Sequence, residues 1–367
     1  MERTITATML FADLINSTEM AKILTLQEYD EMIVDFQTTM FEVANDHLAN
    51  YGYKGNGEDS EWSIVGDEIR VFLYSGAHVY DVRNALLIAL KIKLGWLTSA
   101  FNQRILKEGR LVSRIGVGIN SGKVIKDVRP WRKKLGGGQP NVEGYAINLT
   151  KRIESSSRSG HAYQVTVGDS FYRLCGSAVN INVEFSRPQT YEFKGLGQNI
   201  TLYEVLSFIN HEIVTTMPPC MQPGLTEKME YAVAQPMPEP WIFYTLLRYY
   251  VSKTLSAKDG SFEVKAIKLA REALDTLEHK RTLYNFLGWF HAYSKNFQDL
   301  DLAFQYYDKS LQLNPRDQKA LLHRARLAER MGHNDISKRT YEEILFYNPY
   351  HHEARKKLNG YIPTQAL

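Results

Sequence analysis

Apolar residues run in alternating or continuous stretches in some parts of the chain and recur at three- and four-residue intervals in others, and these two periods separate strands from helices. Residues 4–12, rich in Thr, Ile, Met, Leu and Phe, predict a buried strand. Asn16, Ser17 and Thr18 follow as candidate caps of a helix. Tyr29, Ile33, Phe36, Met40 and Val43 recur with helical spacing and predict a helix over 27–49. Gly52, Gly55 and Gly57 mark a loop over 50–60, and 62–74 then predicts two strands joined at Gly66-Asp67. A helix over 79–106, a strand over 114–120, a helix over 145–156 and strands over 162–167, 190–194 and 201–206 complete this part. The order predicts an α+β sheet with its helices on one side.

Prolines at 218, 219, 223, 236, 238 and 240 predict a linker free of regular elements, and beyond Trp241 only helical patterns occur. There Asn314-Pro315 recurs as Asn348-Pro349, and the same 34-residue offset relates Tyr307 to Tyr341, Leu311 to Leu345 and Leu313 to Tyr347. A small residue, an aromatic four later and a proline eight after that make the tetratricopeptide pattern. Ala303-Tyr307-Pro315 fits it, as does Ser337-Tyr341-Pro349 with Ser for Ala. A few extra residues near Asn296 to Asp299 put Leu287-Gly288 out of register. The expected organisation is an α+β domain over 1–207, a Pro-rich linker over 208–240 and an all-α, tetratricopeptide-like domain over 241–367.

Composition narrows the function classes. The chain has 367 residues, 44% hydrophobic and 23% charged, enough for two or three domains with full cores. A net charge of +3 gives no global attraction to nucleic acid or an anionic membrane. Cys175 and Cys220 make neither a disulfide framework nor a zinc site. No signal-peptide pattern opens the sequence, and no apolar run approaches the roughly 18 residues of a membrane span. The expectation is a soluble cytoplasmic protein.

Candidate chemistry begins with Asp13, delivered by the first strand, and Asp67, delivered by the turn between the next two. Each alone also reads as a cap or turn former. Together they offer oxygen ligands for divalent metal, with Leu14 to Thr18 supplying a carbonyl to metal and N–H groups to phosphate. Asn148 and Arg152, four apart on one helical face, read either as a solvated surface or as an amide that orients a sugar and a guanidinium that neutralises charge at phosphorus. Lys123 and Lys194, in Gly-Lys and Lys-Gly contexts at strand ends, are candidate phosphate contacts or ordinary exposed lysines.

Phe11-Ala12-Asp13-Leu14-Ile15-Asn16-Ser17-Thr18, Val65-Gly66-Asp67-Glu68, Arg114 through Lys123, Gly144 through Arg152 and Phe193-Lys194-Gly195 resemble the successive motifs of class III nucleotidyl cyclase catalytic domains. The resemblance spans about residues 4–206. It implies a ferredoxin-like core working as a homodimer with sites at the interface. It implies that Asp13 and Asp67, aided by the Leu14 carbonyl, hold two Mn²⁺ or Mg²⁺ ions per active site. Asn16, Ser17, Thr18, Lys123 and Lys194 would meet the triphosphate, and Asn148 and Arg152 would come from the partner chain. The implied reaction turns a nucleoside triphosphate into a 3′,5′-cyclic nucleotide and pyrophosphate. Basic residues between Arg129 and Lys134 stand where the family has an arm crossing the dimer, and also read as solvated charge.

The chain departs from the family at its base-reading positions. Adenylate cyclases carry Lys and Asp there, and guanylate cyclases carry Glu and Cys-like residues; Ser63 and Asn141 stand at those positions here. Both can donate and accept hydrogen bonds, as uracil and cytosine require, and Tyr51, Tyr53 or Trp62 could stack on a smaller ring. The chain is similar in this to the pyrimidine cyclases of bacterial antiphage signalling (Pycsar), with UTP slightly favoured over CTP. The helical repeats are a candidate surface for a protein partner. The alternatives are an adenylate or guanylate cyclase, or a catalytically weak cyclase-like scaffold acting through its repeats.

Overall fold

The computed structural model describes residues 2–55, 57–110, 113–127, 142–177, 183–194, 199–208, 224–235, 239–256, 260–277 and 280–361. The chain divides into two units, Met1–Leu246 and Leu247–Leu367.

The first unit is built on β1 (Glu2–Ile15), which pairs antiparallel along its whole length with β4 (Arg114–Asp127). On its other edge β1 pairs over Thr8 to Asp13 with β3 (Glu68–Leu73), and β3 pairs with β2 (Ser60–Val65). Helices α1 (Ser17–Ile23) and α2 (Leu26–Asn50) connect β1 to β2. Helices α3 (His78–Thr98) and α4 (Ala100–Lys107) connect β3 to β4. The order β2-β3-β1-β4 with those crossovers is the ferredoxin-like βαββαβ arrangement. Beyond β4 come β6 (Val165–Gly168), parallel to it, and β9 (Asn199–Phe208), antiparallel to β6. The short strand β5 (Val142–Glu143) pairs with β4, while β7 (Val183–Phe185) and β8 (Gln189–Glu192) pair with β9.

Every residue of β1 from Ala7 to Leu14 is buried, so both faces of the sheet are covered. Ala7, Met9 and Phe11 pack with Phe72, Val124 and Ala146, the last on α5 (Tyr145–Ser157). Thr8, Leu10, Ala12 and Leu14 point to the opposite face, where α2 and α3 lie. This corrects the expectation of helices on one side. Glycine makes the second layer possible. Gly116, Gly118 and Gly122 alternate along the α5 face of β4, where a Cβ would stand 2.5 Å from Ser157 Oγ, 2.2 Å from Glu154 N and 2.8 Å from Ala146 Cβ respectively.

Three further differences have local causes. The helix expected over 79–106 breaks at Ser99, whose extended backbone and side chain cap α4, and the two halves meet at 49°. Helix α6 (Asp169–Ser177) begins directly after β6, with no loop to announce it. Within the Pro-rich stretch, α7 (Leu225–Val233) is regular because all six prolines flank it and Gly224, at φ 66°, opens it. Its Leu225, Met229 and Ala232 are buried, and Lys228 Nζ and Tyr231 OH donate to the Thr98 and Leu106 carbonyls, each at 3.3 Å. Helix α8 (Pro240–Ser256) starts in this unit, where buried Trp241 and Tyr244 stand 6.4 and 6.0 Å from the Tyr163 ring. Among the described residues no single helix is long and apolar enough to cross a membrane.

The second unit is helical: α9 (Ser261–Thr276), α10 (Arg281–Tyr293), α11 (Leu300–Leu313), α12 (Gln318–Arg330), α13 (Asn334–Tyr347) and α14 (His352–Tyr361). Helices α11 and α13 begin and end 34 residues apart, and so do the turns after them: Asn314 Oδ1 accepts from Arg316 N, as Asn348 Oδ1 does from Tyr350 N. Ala303, Tyr307, Ser337 and Tyr341, the positions carrying the sequence period, are all fully buried.

Candidate active site

The site lies where β1, the β2–β3 turn and α5 meet. Leu14 N donates to Asp67 O at 3.2 Å, which fastens the end of β1 to the turn opened by Gly66 at φ 63°. Asp13 and Asp67 thereby stand close enough for the Asp67 charge to push the Asp13 carboxyl upward, adding to the larger effect of burial. Asp13 is 8% exposed, and its Oδ1 is buried without a hydrogen-bond partner among the described residues. Asp67 is half-buried, and its side chain has no hydrogen-bond or ion-pair partner among the described residues.

Around Asp13 the structure adds five residues that the sequence reading did not assign to the site. Glu68 faces Asp13 across β1 and β3, and Glu154 descends from α5; one oxygen of each of the three carboxylates lies within 4.8 Å of the others. Lys151 sits among them, donating from Nζ to Asp13 Oδ2 at 3.0 Å, to Glu154 Oε2 at 2.9 Å and to Glu68 Oε2. Arg158 donates to Asp13 Oδ2 at 2.9 Å, and Arg70 bonds Glu68 while its guanidinium lies 5.5 Å from the Phe11 ring centroid. Lys151 and Glu154 on α5 and Arg158 at its C-cap are spaced i, i+3, i+7 and so share one side. That spacing was visible, but charged residues so placed read equally well as a solvated face.

Burial raises the Asp13 and Glu154 carboxyls above their ordinary range, and in both cases the Lys151 ammonium opposes the shift. For Lys151 burial pulls downward, but its bonds to Glu68 and Glu154 outweigh it, so the ammonium is held more firmly than an ordinary lysine. The donor set suits a hard divalent cation: it is all oxygen, it includes the orphaned Asp13 Oδ1, and Asp67 is beside it.

The other expected residues are distributed unevenly. Asn148 and Arg152 are exposed on α5, with no side-chain hydrogen-bond partner among the described residues. Asn16 opens α1 at φ 62°, but its side chain makes no capping bond, contrary to the expectation; Ser17 is half-buried and Thr18 exposed. Lys123 is exposed opposite Thr6, while Asp13 is opposite Gly116, which separates the two by roughly 23 Å of strand at about 3.3 Å per residue. Lys194 is exposed just beyond β8, four strands from β1 and thus roughly 19 Å across the sheet. Within one chain, then, neither lysine reaches Asp13.

Of the base-reading pair, Asn141 lies outside the described residues, as do Arg129 to Lys134. Ser63 forms a row across the sheet with Arg70, Phe11 and Gly118, two rows from Asp13 and on the same face, and is 5% exposed with its Oγ unpartnered among the described residues. The aromatic residues expected to stack on the base are engaged elsewhere. Tyr51 stacks on His47, Tyr53 donates to Asp81 at 2.8 Å, and Trp62 meets Phe41 edge-on. Trp62 also alternates with Ser63 and so faces α2. There it lines, with Tyr53 and Asn45, a separate polar cleft of about 520 Å³.

No family model and no curated protein matches the chain. Solved structures do. The adenylyl cyclase CyaB from P. aeruginosa is 17% identical over 56% of this chain and 96% of its own, with a TM-score of 0.45. The guanylyl cyclase Cya2 is 20% identical over 55% of this chain and 92% of its own, with a TM-score of 0.44. An adenylate/guanylate cyclase/hydrolase from Silicibacter pomeroyi is 15% identical over 56% of this chain and 99% of its own, with a TM-score of 0.40.

Proposed function

We propose that the chain is a nucleotidyl cyclase of the class III type, converting a nucleoside triphosphate to a 3′,5′-cyclic nucleotide and pyrophosphate. The observation that carries this is the Leu14–Asp67 hydrogen bond, which sets two carboxylates from distant parts of the sequence side by side on a ferredoxin-like sheet. Asp13 and Asp67 would hold Mn²⁺ or Mg²⁺, whose chemistry when bound is to acidify the ribose 3′-hydroxyl and screen the triphosphate. Asn148 and Arg152, exposed on α5, are free to serve a site completed by a second copy. Asn148 there orients the ribose, and Arg152 donates to oxygens on which charge builds at the α-phosphorus. The 3′-oxygen bonds to that phosphorus, its proton passes to solvent, and the bond to the β-phosphate oxygen breaks.

For the base we propose a pyrimidine, UTP ahead of CTP, and with it a role in antiphage signalling. Ser63, small, buried and unpartnered on the active-site face, supports that choice over the longer charged residues that read purines in this family. The repeats would serve as a tetratricopeptide-like sensing or partner surface. A second reading, a weakly catalytic scaffold, is favoured by Lys151, which already fills much of the carboxylate site.

Purified protein incubated with Mn²⁺ and each of the four nucleoside triphosphates tests these readings, with products identified by mass spectrometry. Cyclic UMP is expected, with cyclic CMP second. Cyclic AMP or GMP as the main product overturns the base assignment, and no cyclic product at all favours the scaffold.

A further inference from the structure

We propose that Lys151 is a tethered cation that competes with the divalent ion for the nest of Asp13, Glu68 and Glu154; the proposal rests on the metal-dependent reading of this site. An ammonium has three donors, and here all three are used by three different carboxylates. The oxygens lie within 4.8 Å of one another, a space for one cation, metal or ammonium.

Two observations show that the nest has capacity beyond the lysine. Asp13 Oδ1 is buried without a hydrogen-bond partner among the described residues, and fully buried Glu154 turns its Oε1 only to Arg158 Nε, at an ion-pair distance of 3.6 Å. Such oxygens are costly unless a cation approaches them. Charge balance then decides what must leave. With Asp67 beside them, four carboxylates stand against Lys151, Arg158 and Arg70, a net charge of −1, so an added dication would leave +1 and the departure of one cationic side chain restores neutrality. Arg70 is anchored on Phe11, and Arg158 holds both Asp13 and Glu154. Lys151 hangs on a flexible stem with 40% of its side chain exposed, so it can turn to solvent without opening the core. Metal entry thus exchanges one cation for another, and metal-free protein keeps the three carboxylates of the nest compensated.

The test reads binding, not turnover. Metal-free full-length protein is titrated with MnCl₂, followed by calorimetry and by the electron paramagnetic resonance of free Mn²⁺, for the wild type and for Lys151→Gln. The variant is expected to bind Mn²⁺ about tenfold more tightly. In parallel, amine-reactive labelling of the wild type with mass-spectrometric readout should show Lys151 labelled several-fold faster after Mn²⁺ is added, with exposed Lys54 unchanged; this arm stands even if the variant fails to fold. Equal affinity and unchanged labelling overturn the competition and leave the metal site intact. No Mn²⁺ binding by either protein overturns both readings.

Discussion

Gly118 lies directly beneath Glu154: a Cβ on the glycine would stand 2.2 Å from the Glu154 amide nitrogen and 2.5 Å from its Cα. The clash is with helix backbone, which cannot swing aside as a side chain can. Gly118→Ala is therefore expected to lift α5 from the sheet and destabilise the protein by about 3 kcal/mol. Because α5 carries Lys151, Asn148 and Arg152, cyclisation should fall with it. Thermal denaturation checks the first outcome; an unchanged melting temperature would show that α5 does not seat as described.

The same glycines show what the sequence could and could not disclose. Alternation in β1 and β4, the helical spacing in α2 and the 34-residue offset were legible because each is a period, and periods survive in one dimension. The meeting of Asp13 with Asp67 was legible as a pair of strand ends. The nest was not, because Glu154 is an ordinary acidic residue on a charged helix until Gly116 and Gly118 admit that helix to the sheet. Helix α7 was hidden for the opposite reason, since six prolines surround it and dominate the local pattern while none lies inside it. The assignment of Tyr53 and Trp62 to base stacking failed because tertiary partners, Asp81 and Phe41, take those side chains.

If the site is completed by a second copy, two inactive variants should rescue each other. Asp13→Asn removes the metal half and Arg152→Ala the transition-state half, and each alone is expected to be inactive. Mixed in equal amounts and allowed to exchange subunits, half of the dimers are heterodimers with one intact site, giving roughly a quarter of wild-type activity. Arg152 is exposed and unpartnered among the described residues, so Arg152→Ala should melt as the wild type does. Failure of the mixture to recover activity would count against the shared site.

In the second unit, Tyr307 is fully buried, its ring against Gly288 and stacked 5.9 Å from His323, while its hydroxyl has no hydrogen-bond partner among the described residues. Burial raises the pKa of that hydroxyl, outweighing the opposing pull of the Arg326 and Arg330 charges. Removing only the hydroxyl should therefore help: Tyr307→Phe is expected to stabilise by about 1 kcal/mol. Tyr307→Ala, which empties the site, should cost about 3–5 kcal/mol. Urea denaturation monitored by circular dichroism distinguishes the two signs.

Acid sensitivity should trace to His47. It is fully buried, and its Nε2 donates to Asn84 Oδ1 at 2.9 Å; the Asn84 amide nitrogen is committed to Tyr80 O, so that oxygen must accept. Nδ1 has no partner among the described residues, and burial, reinforced by the Lys91 ammonium, holds the imidazole down to about 3. The unfolded chain protonates this histidine near pH 6.5, as an ordinary one. Its contribution is therefore complete above about pH 6.5 and is lost as the pH falls toward 3, by up to about 1.4 kcal/mol per pH unit. The buried carboxyls of Asp13, Asp81 and Glu154 are raised and push the other way, so the wild-type profile alone does not isolate it. His47→Gln keeps a donor for Asn84 and removes the titration. Measured by urea denaturation between pH 7.5 and 4.5, the variant should lose less stability than the wild type with each step downward. Parallel profiles would mean that His47 accepts a proton in the folded state.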